Sequence, residues 1–164
     1  EFILINFERS FFDDNTMLDH FVLQCDVIVH LAAINRHNDP NVIYEINTGL
    51  VRKLIASLER TGSKVHIIIS SSIQEDNDNL YGKSKRDGRL MLADWANRTE
   101  GKFTGIIIPN VFGPFGNPFY NSVIATFCHQ VTYDEIPNID VDRQLKLIYV
   151  KCSTKRICHL HCNR

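Results

Sequence analysis

VHIIISSSIQEDNDNLYGKSK, residues 65–85, decides how the rest of the chain is read. It opens with a short apolar run, residues 65–69, that reads as a buried strand. Ser70, Ser71 and Ser72 stand at the strand's carboxyl end, and a polar loop, residues 74–79, follows. Tyr81-Gly82-Lys83-Ser84-Lys85 then opens an amphipathic helix. A hydroxyl at a strand's carboxyl end faces the crevice in which open α/β sheets bind ligands. Tyr81 and Lys85 are four residues apart, so on a helix they share one face.

Strands and helices alternate outward from this stretch. Residues 2–7 read as a strand, and residues 14–24 as a helix with Met17, Leu18, Phe21 and Val22 on one side. CDVIVHL, residues 25–31, reads as a buried parallel strand that ends in the small residues Ala32 and Ala33. Asp39 and Pro40 start a long helix as N-cap and first residue, and Thr61-Gly62 ends it. Its apolar stripe runs from Val42 and Ile43 through Val51 and Leu54 to Leu58. Asn47 sits inside that helix, where asparagine is a poor former. FTGIII, residues 103–108, is another buried strand, followed by a proline- and glycine-rich loop over residues 109–118. Residues 120–131 read as a helix, residues 134–142 as a polar connector and residues 144–150 as a last strand. Such alternation is the pattern of βαβ units and a parallel sheet with helices on both faces.

The central stretch suits proton transfer coupled to hydride transfer. A free phenol, with a pKa of about 10, exchanges protons poorly at neutral pH. A nearby ammonium favours the phenolate, and a drop of ~3 units requires ~4 kcal/mol of differential stabilisation. A serine hydroxyl opposite would hydrogen-bond the oxygen that gains or loses the proton. The bare spacing YxxxK recurs by chance; the strand and serines before it give it weight.

IIISSSIQ…YGKSK resembles the active-site segment of extended short-chain dehydrogenase/reductases, the NAD-dependent epimerase/dehydratase superfamily. The gap of nine residues from Ser72 to Tyr81 is short for that superfamily and resembles its CapF-type capsular-polysaccharide branch, in which a cupin domain follows the reductase domain. HLAAINR (residues 30–36), SSSIQ and YNSVIATFC (residues 120–128) carry the same likeness, which covers roughly residues 20–150. The resemblance implies a Rossmann-like doubly wound parallel sheet with Tyr81 as acid/base, Lys85 as its pKa-lowering and ribose-binding partner, and Ser72 as the hydroxyl partner. It implies that NADP or NAD is bound by Leu31, Ala32, Ala33, Asn47, Ser70, Lys85, Pro109 and Val111. It implies that a nucleotide-sugar substrate meets Gln74, Asn110, Asn121 and Arg143, and that two copies pair through the two long helices as a homodimer. Asn47 is read equally as an exposed helix residue, and Arg143 as a solvated one. Ile107 stands where the family usually carries an arginine, and Arg9 suggests a partner for a 2′-phosphate.

The superfamily opens with a strand, a GxxGxxG turn and a helix whose amino terminus cradles pyrophosphate. The glycines here, at 49, 62, 82, 88, 101, 105, 113 and 116, make no such motif. Residues 1–150 therefore read as a partial NAD(P)-binding domain lacking the first strand and glycine-rich turn, truncated at both ends and binding cofactor poorly alone. Residues 151–164, KCSTKRICHLHCNR, read as an anomalous tail. Their cysteines and histidines are zinc-ligand types, but the spacing CxxxxxCHxHC matches no established pair of ligand hairpins, and no metal is assigned.

Composition bounds the remaining classes. At 164 residues, 44% apolar and 23% charged, the chain suits one folded domain. A net charge of -1 argues against a nucleic-acid partner, and no apolar run reaches the ~20 residues of a membrane span. Five cysteines, no signal peptide and no initiator methionine read as reduced thiols in a cytoplasmic protein or a piece of one. The expected activity is 4-keto reduction of a UDP-deoxysugar for surface polysaccharide. The alternatives are epimerisation or dehydration of a sugar nucleotide, and a Rossmann-like interaction module without catalysis. Dehydratases of the superfamily usually place acidic residues straight after the hydroxyl residue, where this chain has Ile73 and Gln74.

Overall fold

The computed structural model describes residues 3–139, 141–142 and 144–162. It divides into two compact units, Glu1–Ile107 and Ile108–Arg164. The first carries a three-stranded sheet in the order β1 (Val27–His30), β2 (His66–Ser72), β3 (Lys102–Ile108), with helices α1 (Asn15–Leu23), α2 (Pro40–Thr61) and α3 (Leu80–Thr99). β1 and β2 are parallel, pairing Ile28 with Ile67 and His30 with Ile69. The expected α/β, Rossmann-like architecture is present.

The helix ends follow from short-range chemistry. The Asp14 carboxylate accepts from the backbone N–H groups of Thr16 and Met17 and starts α1. Asp39 does the same for Asn41, Pro40 fills the first position of α2, and Gly62 closes it in the left-handed conformation at φ 62°. Asn79 caps α3 through the Gly82 N–H. α1 buries Leu18, Phe21 and Val22, the i, i+3, i+4 face; Met17, one residue off that face, is exposed, contrary to expectation.

β2 is the middle strand, and Ile67, Ile68 and Ile69 are fully buried. Trp95 and Leu92 of α3, Val51, Leu54 and Leu58 of α2 and Val22 of α1 close the core around it. Each such side chain contributes about 1.5–3 kcal/mol by leaving water. Three strand expectations need correction. β3 forms where expected but is not buried: none of its residues is, and Ile107 is exposed, because it is the edge strand of the sheet. Residues 3–7 form no strand, and Ile3 and Leu4 are almost fully exposed, because a strand without a ladder partner leaves its backbone groups to water. β1 is shorter than residues 25–31 and buried only at Ile28 and His30, while Val29 on its other face is exposed.

In the second unit β4 (Asn110–Phe112) pairs parallel with β5 (Leu147–Tyr149), so part of the expected 109–118 loop is strand. The Asn110 N–H donates to the Lys146 carbonyl and opens that ladder. α4 (Val123–Thr132) begins after Tyr120 and Asn121, because the Ser122 hydroxyl accepts from the Ala125 N–H and fixes the start there. α5 (Val150–Cys162) takes up Val150 and most of the cysteine-rich tail. No described helix is long and apolar enough to cross a membrane.

Candidate active site

The site grows from the carboxyl ends of β1 and β2 and the first turns of α3. His30, the last residue of β1, is buried, and the next residues, Leu31, Ala32 and Ala33, emerge exposed. Small side chains there leave the backbone open to close approach. Asn47, 4% exposed on α2, holds the following residue in place. Its Oδ1 accepts from the Ile34 N–H, and its Nδ2 donates to the Ile34 carbonyl and to Ser84 Oγ. Ser84 Oγ in turn donates to the Tyr81 carbonyl in the first turn of α3. Asn47 is thus no surface residue. Its amide is taken up by the protein, and it ties the β1 exit to α3.

Lys85 lies one turn after Tyr81 and is 6% exposed. It lines a recess of about 10 Å³, room for one water-sized group, together with His30, Ala32, Ala33, Asn47 and Ser84. Among the described residues no hydrogen bond or ion pair engages its Nζ. Burial pushes the Lys85 ammonium below the ordinary lysine range, and the Glu75 carboxylate partly offsets this. His30 is held down to about 4 by burial and by the Lys85 charge, so its ring is neutral at pH 7 and adds no repulsion.

Tyr81 is half-buried, and its hydroxyl has no partner among the described residues. Burial raises its pKa, so the phenol is protonated at neutral pH. Ser72 ends β2, and its Oγ accepts from the Gln74 N–H at 3.2 Å, which caps the 3₁₀ turn Ile73–Asp76. The Ser72 hydroxyl hydrogen remains available. Gly82 explains how a nine-residue gap suffices: a Cβ there would fall 1.9 Å from the Gln74 carbonyl oxygen, so only glycine lets the first turn of α3 press against that turn.

The recess brings together Ala32, Ala33, Asn47 and Lys85. Ser70, Ser72, Gln74 and Tyr81 belong to the same compact unit but do not line it. Pro109, Asn110, Val111 and Asn121 belong to the second unit, and Arg143 lies outside the described residues. Sequence reasoning missed Glu75 and Arg89. Glu75 is buried in the turn after Ser72, accepts from Ser71 Oγ and is held by Arg89 of α3 at 2.6 Å. Partners fourteen residues apart across a turn leave no periodic signal.

The family model described as NAD dependent epimerase/dehydratase matches residues 4–151. The chain belongs to that family. It is 32% identical over 134 residues to the UDP-2-acetamido-2,6-beta-L-arabino-hexul-4-ose reductase of Pseudomonas aeruginosa, covering 81% of this chain and 36% of that protein. The crystal structure of capsular polysaccharide assembling protein CapF from Staphylococcus aureus matches with a TM-score of 0.73 and 32% identity, over 92% of this chain and 40% of that one. UDP-glucose 4-epimerase of Thermotoga maritima shares the fold, with a TM-score of 0.80 at 19% identity over 92% of this chain and 57% of that one. The chain therefore spans well under half the length of the first two relatives.

A family described as NAD dependent implies a nicotinamide dinucleotide, and the residues present fit one end of it. An ammonium without a protein partner beside an open backbone could take ribose hydroxyls, and Lys85 lines the recess with Ala32 and Ala33. The other end finds no glycine-rich phosphate cradle in this sequence.

Proposed function

We propose that this chain carries the reactive centre of an NAD(P)-dependent reductase that converts the 4-keto group of a UDP-linked deoxysugar to an alcohol in surface polysaccharide synthesis. The observation that carries the reading is Lys85, a largely buried lysine without a hydrogen-bonding partner among the described residues, one turn from the half-buried phenol of Tyr81. A desolvated lysine beside a phenol at the carboxyl ends of two strands marks a functional site.

In this reading Leu31, Ala32, Ala33 and Ser70 border the dinucleotide, and Lys85 holds its ribose. Asn47 serves the same site by fixing the backbone at Ile34. The bound dinucleotide supplies the hydride that forms the new C–H bond at the sugar's C4. Ser72 donates its hydroxyl hydrogen bond to the carbonyl oxygen and orients it. Tyr81 gives its proton to that oxygen as negative charge develops there, leaving an alcohol and a phenolate that Lys85 stabilises. A phenol kept protonated by burial suits this direction, since reduction begins from the acid form. Gln74, in the turn after Ser72, is the proposed contact to the sugar.

Elimination is the less favoured chemistry. Ile73 and Gln74 follow Ser72, and the first carboxylate after them, Glu75, is bound by Arg89 and Ser71 rather than free to take a proton. The test is deuterium transfer from 4-deuterated NADPH or NADH to C4 of a UDP-linked 4-keto-6-deoxyhexosamine, read by mass spectrometry so that a single turnover suffices. The expected result is incorporation by the protein and none by Tyr81→Phe. No incorporation from either cofactor would overturn the reading.

A further inference from the structure

Arg89 continues the stripe that Tyr81 and Lys85 begin: the three occupy positions i, i+4 and i+8 of α3. Its guanidinium points back to the turn that follows Ser72. Nε lies 2.9 and 3.2 Å from the two Glu75 oxygens, and Nη2 lies 2.6 Å from Oε2, a forked grip on a carboxylate that is 5% exposed. Ser71 Oγ donates to the same carboxylate from the carboxyl end of β2. The rest of the link between Ser72 and Tyr81 is fastened mainly to itself: Ser72 caps Gln74, Asn77 bonds back to Gln74, and Asn79 caps Gly82. Glu75 ties this link to the helix bearing the tyrosine through its ion pair with Arg89, and to the strand bearing the serine through the Ser71 hydroxyl.

We infer that Glu75 and Arg89 are positioning residues that set the placement of Ser72 against α3. The inference rests on the reductase reading for its effect on turnover, but not for its effect on the backbone around Ser72 and Tyr81. Such a pair need not add stability: a buried ion pair replaced on both sides together is often nearly neutral, whereas removing one partner strands a charge. A role in placement is separable from a role in folding on that ground.

The experiment compares the full chain with Glu75→Gln and with the double variant Glu75→Gln/Arg89→Gln, each first checked for cooperative unfolding. In the hydride-transfer assay both lower kcat about tenfold to a hundredfold, as expected for small misplacement of reacting groups, with sugar KM changed less than about twofold. In the double variant the amide NMR signals of Ser72 and Tyr81 shift, with no substrate needed. Arg89→Lys, which keeps the charge but not the fork, recovers part of the kcat. A folded double variant with wild-type kcat, or with unmoved Ser72 and Tyr81 signals, overturns the inference. A wild-type chain that transfers no hydride overturns the reductase reading instead and leaves those signals to decide this one.

Discussion

Asn47 closes both backbone hydrogen bonds of Ile34, accepting from its N–H at 2.8 Å and donating to its carbonyl at 2.9 Å. Two backbone groups just past the end of β1 thus depend on one side chain of α2. Asn47→Ala leaves them, and Ser84 Oγ, without that partner. The expected loss is about 1–3 kcal/mol, since a half-buried polar group left unpaired forfeits its desolvation cost. Urea unfolding measures it, and a change within about 0.5 kcal/mol, the range of an ordinary surface substitution, would remove Asn47 from this role.

Two glycines make opposite predictions. Gly82→Ala drives a Cβ into the Gln74 carbonyl, and the expected loss is about 1–3 kcal/mol or more, together with displacement of the turn after Ser72. Gly49 lies in α2 with nothing within 4 Å of where its Cβ would stand. Gly49→Ala should gain about 0.5–1 kcal/mol by restricting the unfolded chain and improving helix propensity. Thermal unfolding of both variants distinguishes a glycine required by contact from one that is not.

Acid stability should break at two separate pH values. His30 has its pKa lowered from 6.5 to about 4 in the folded state, so the unfolded chain binds the extra proton between those values. Stability therefore falls as pH drops from 6.5 towards 4, by about 3 kcal/mol at completion. Glu75 is lowered below the ordinary carboxylate value of 4.5, chiefly by its hydrogen bonds to Arg89, so its contribution is present above that value and lost as pH falls through its lower folded pKa. Urea midpoints between pH 7 and 4 should decline for the wild type and stay flatter for His30→Gln. Equal slopes would contradict the burial of a neutral imidazole at the end of β1.

Tyr81→Phe removes the proposed proton donor and nothing that packs. The expected loss in sugar-dependent hydride transfer is about a hundredfold to ten-thousandfold, with unfolding little changed. Comparable activity in the phenylalanine variant would assign the proton to another group.

The long helix α2 was legible to the residue, because Asp39, Pro40 and Gly62 act locally and need no tertiary partner. Tyr81 and Lys85 were legible as a pair for the same reason, through the four-residue period of a helix. Residues 2–7 were misread because strand propensity says nothing of whether a neighbour is there to complete the ladder. The burial of the Tyr81 ring was not legible, because it depends on what packs around it in the fold. Glu75 looked like one polar loop residue among six, since only the folded chain carries Arg89 back to it.

β1 is hydrogen-bonded along one flank, to β2, among the described residues. Its other flank offers a row of amide and carbonyl groups to any extended segment, with Val29 open beside it. A free flank of this kind recruits further chains end by end, so concentration and storage, rather than turnover, are what it governs. Dilute handling, or a lysine introduced at Val29, should keep the protein dispersed.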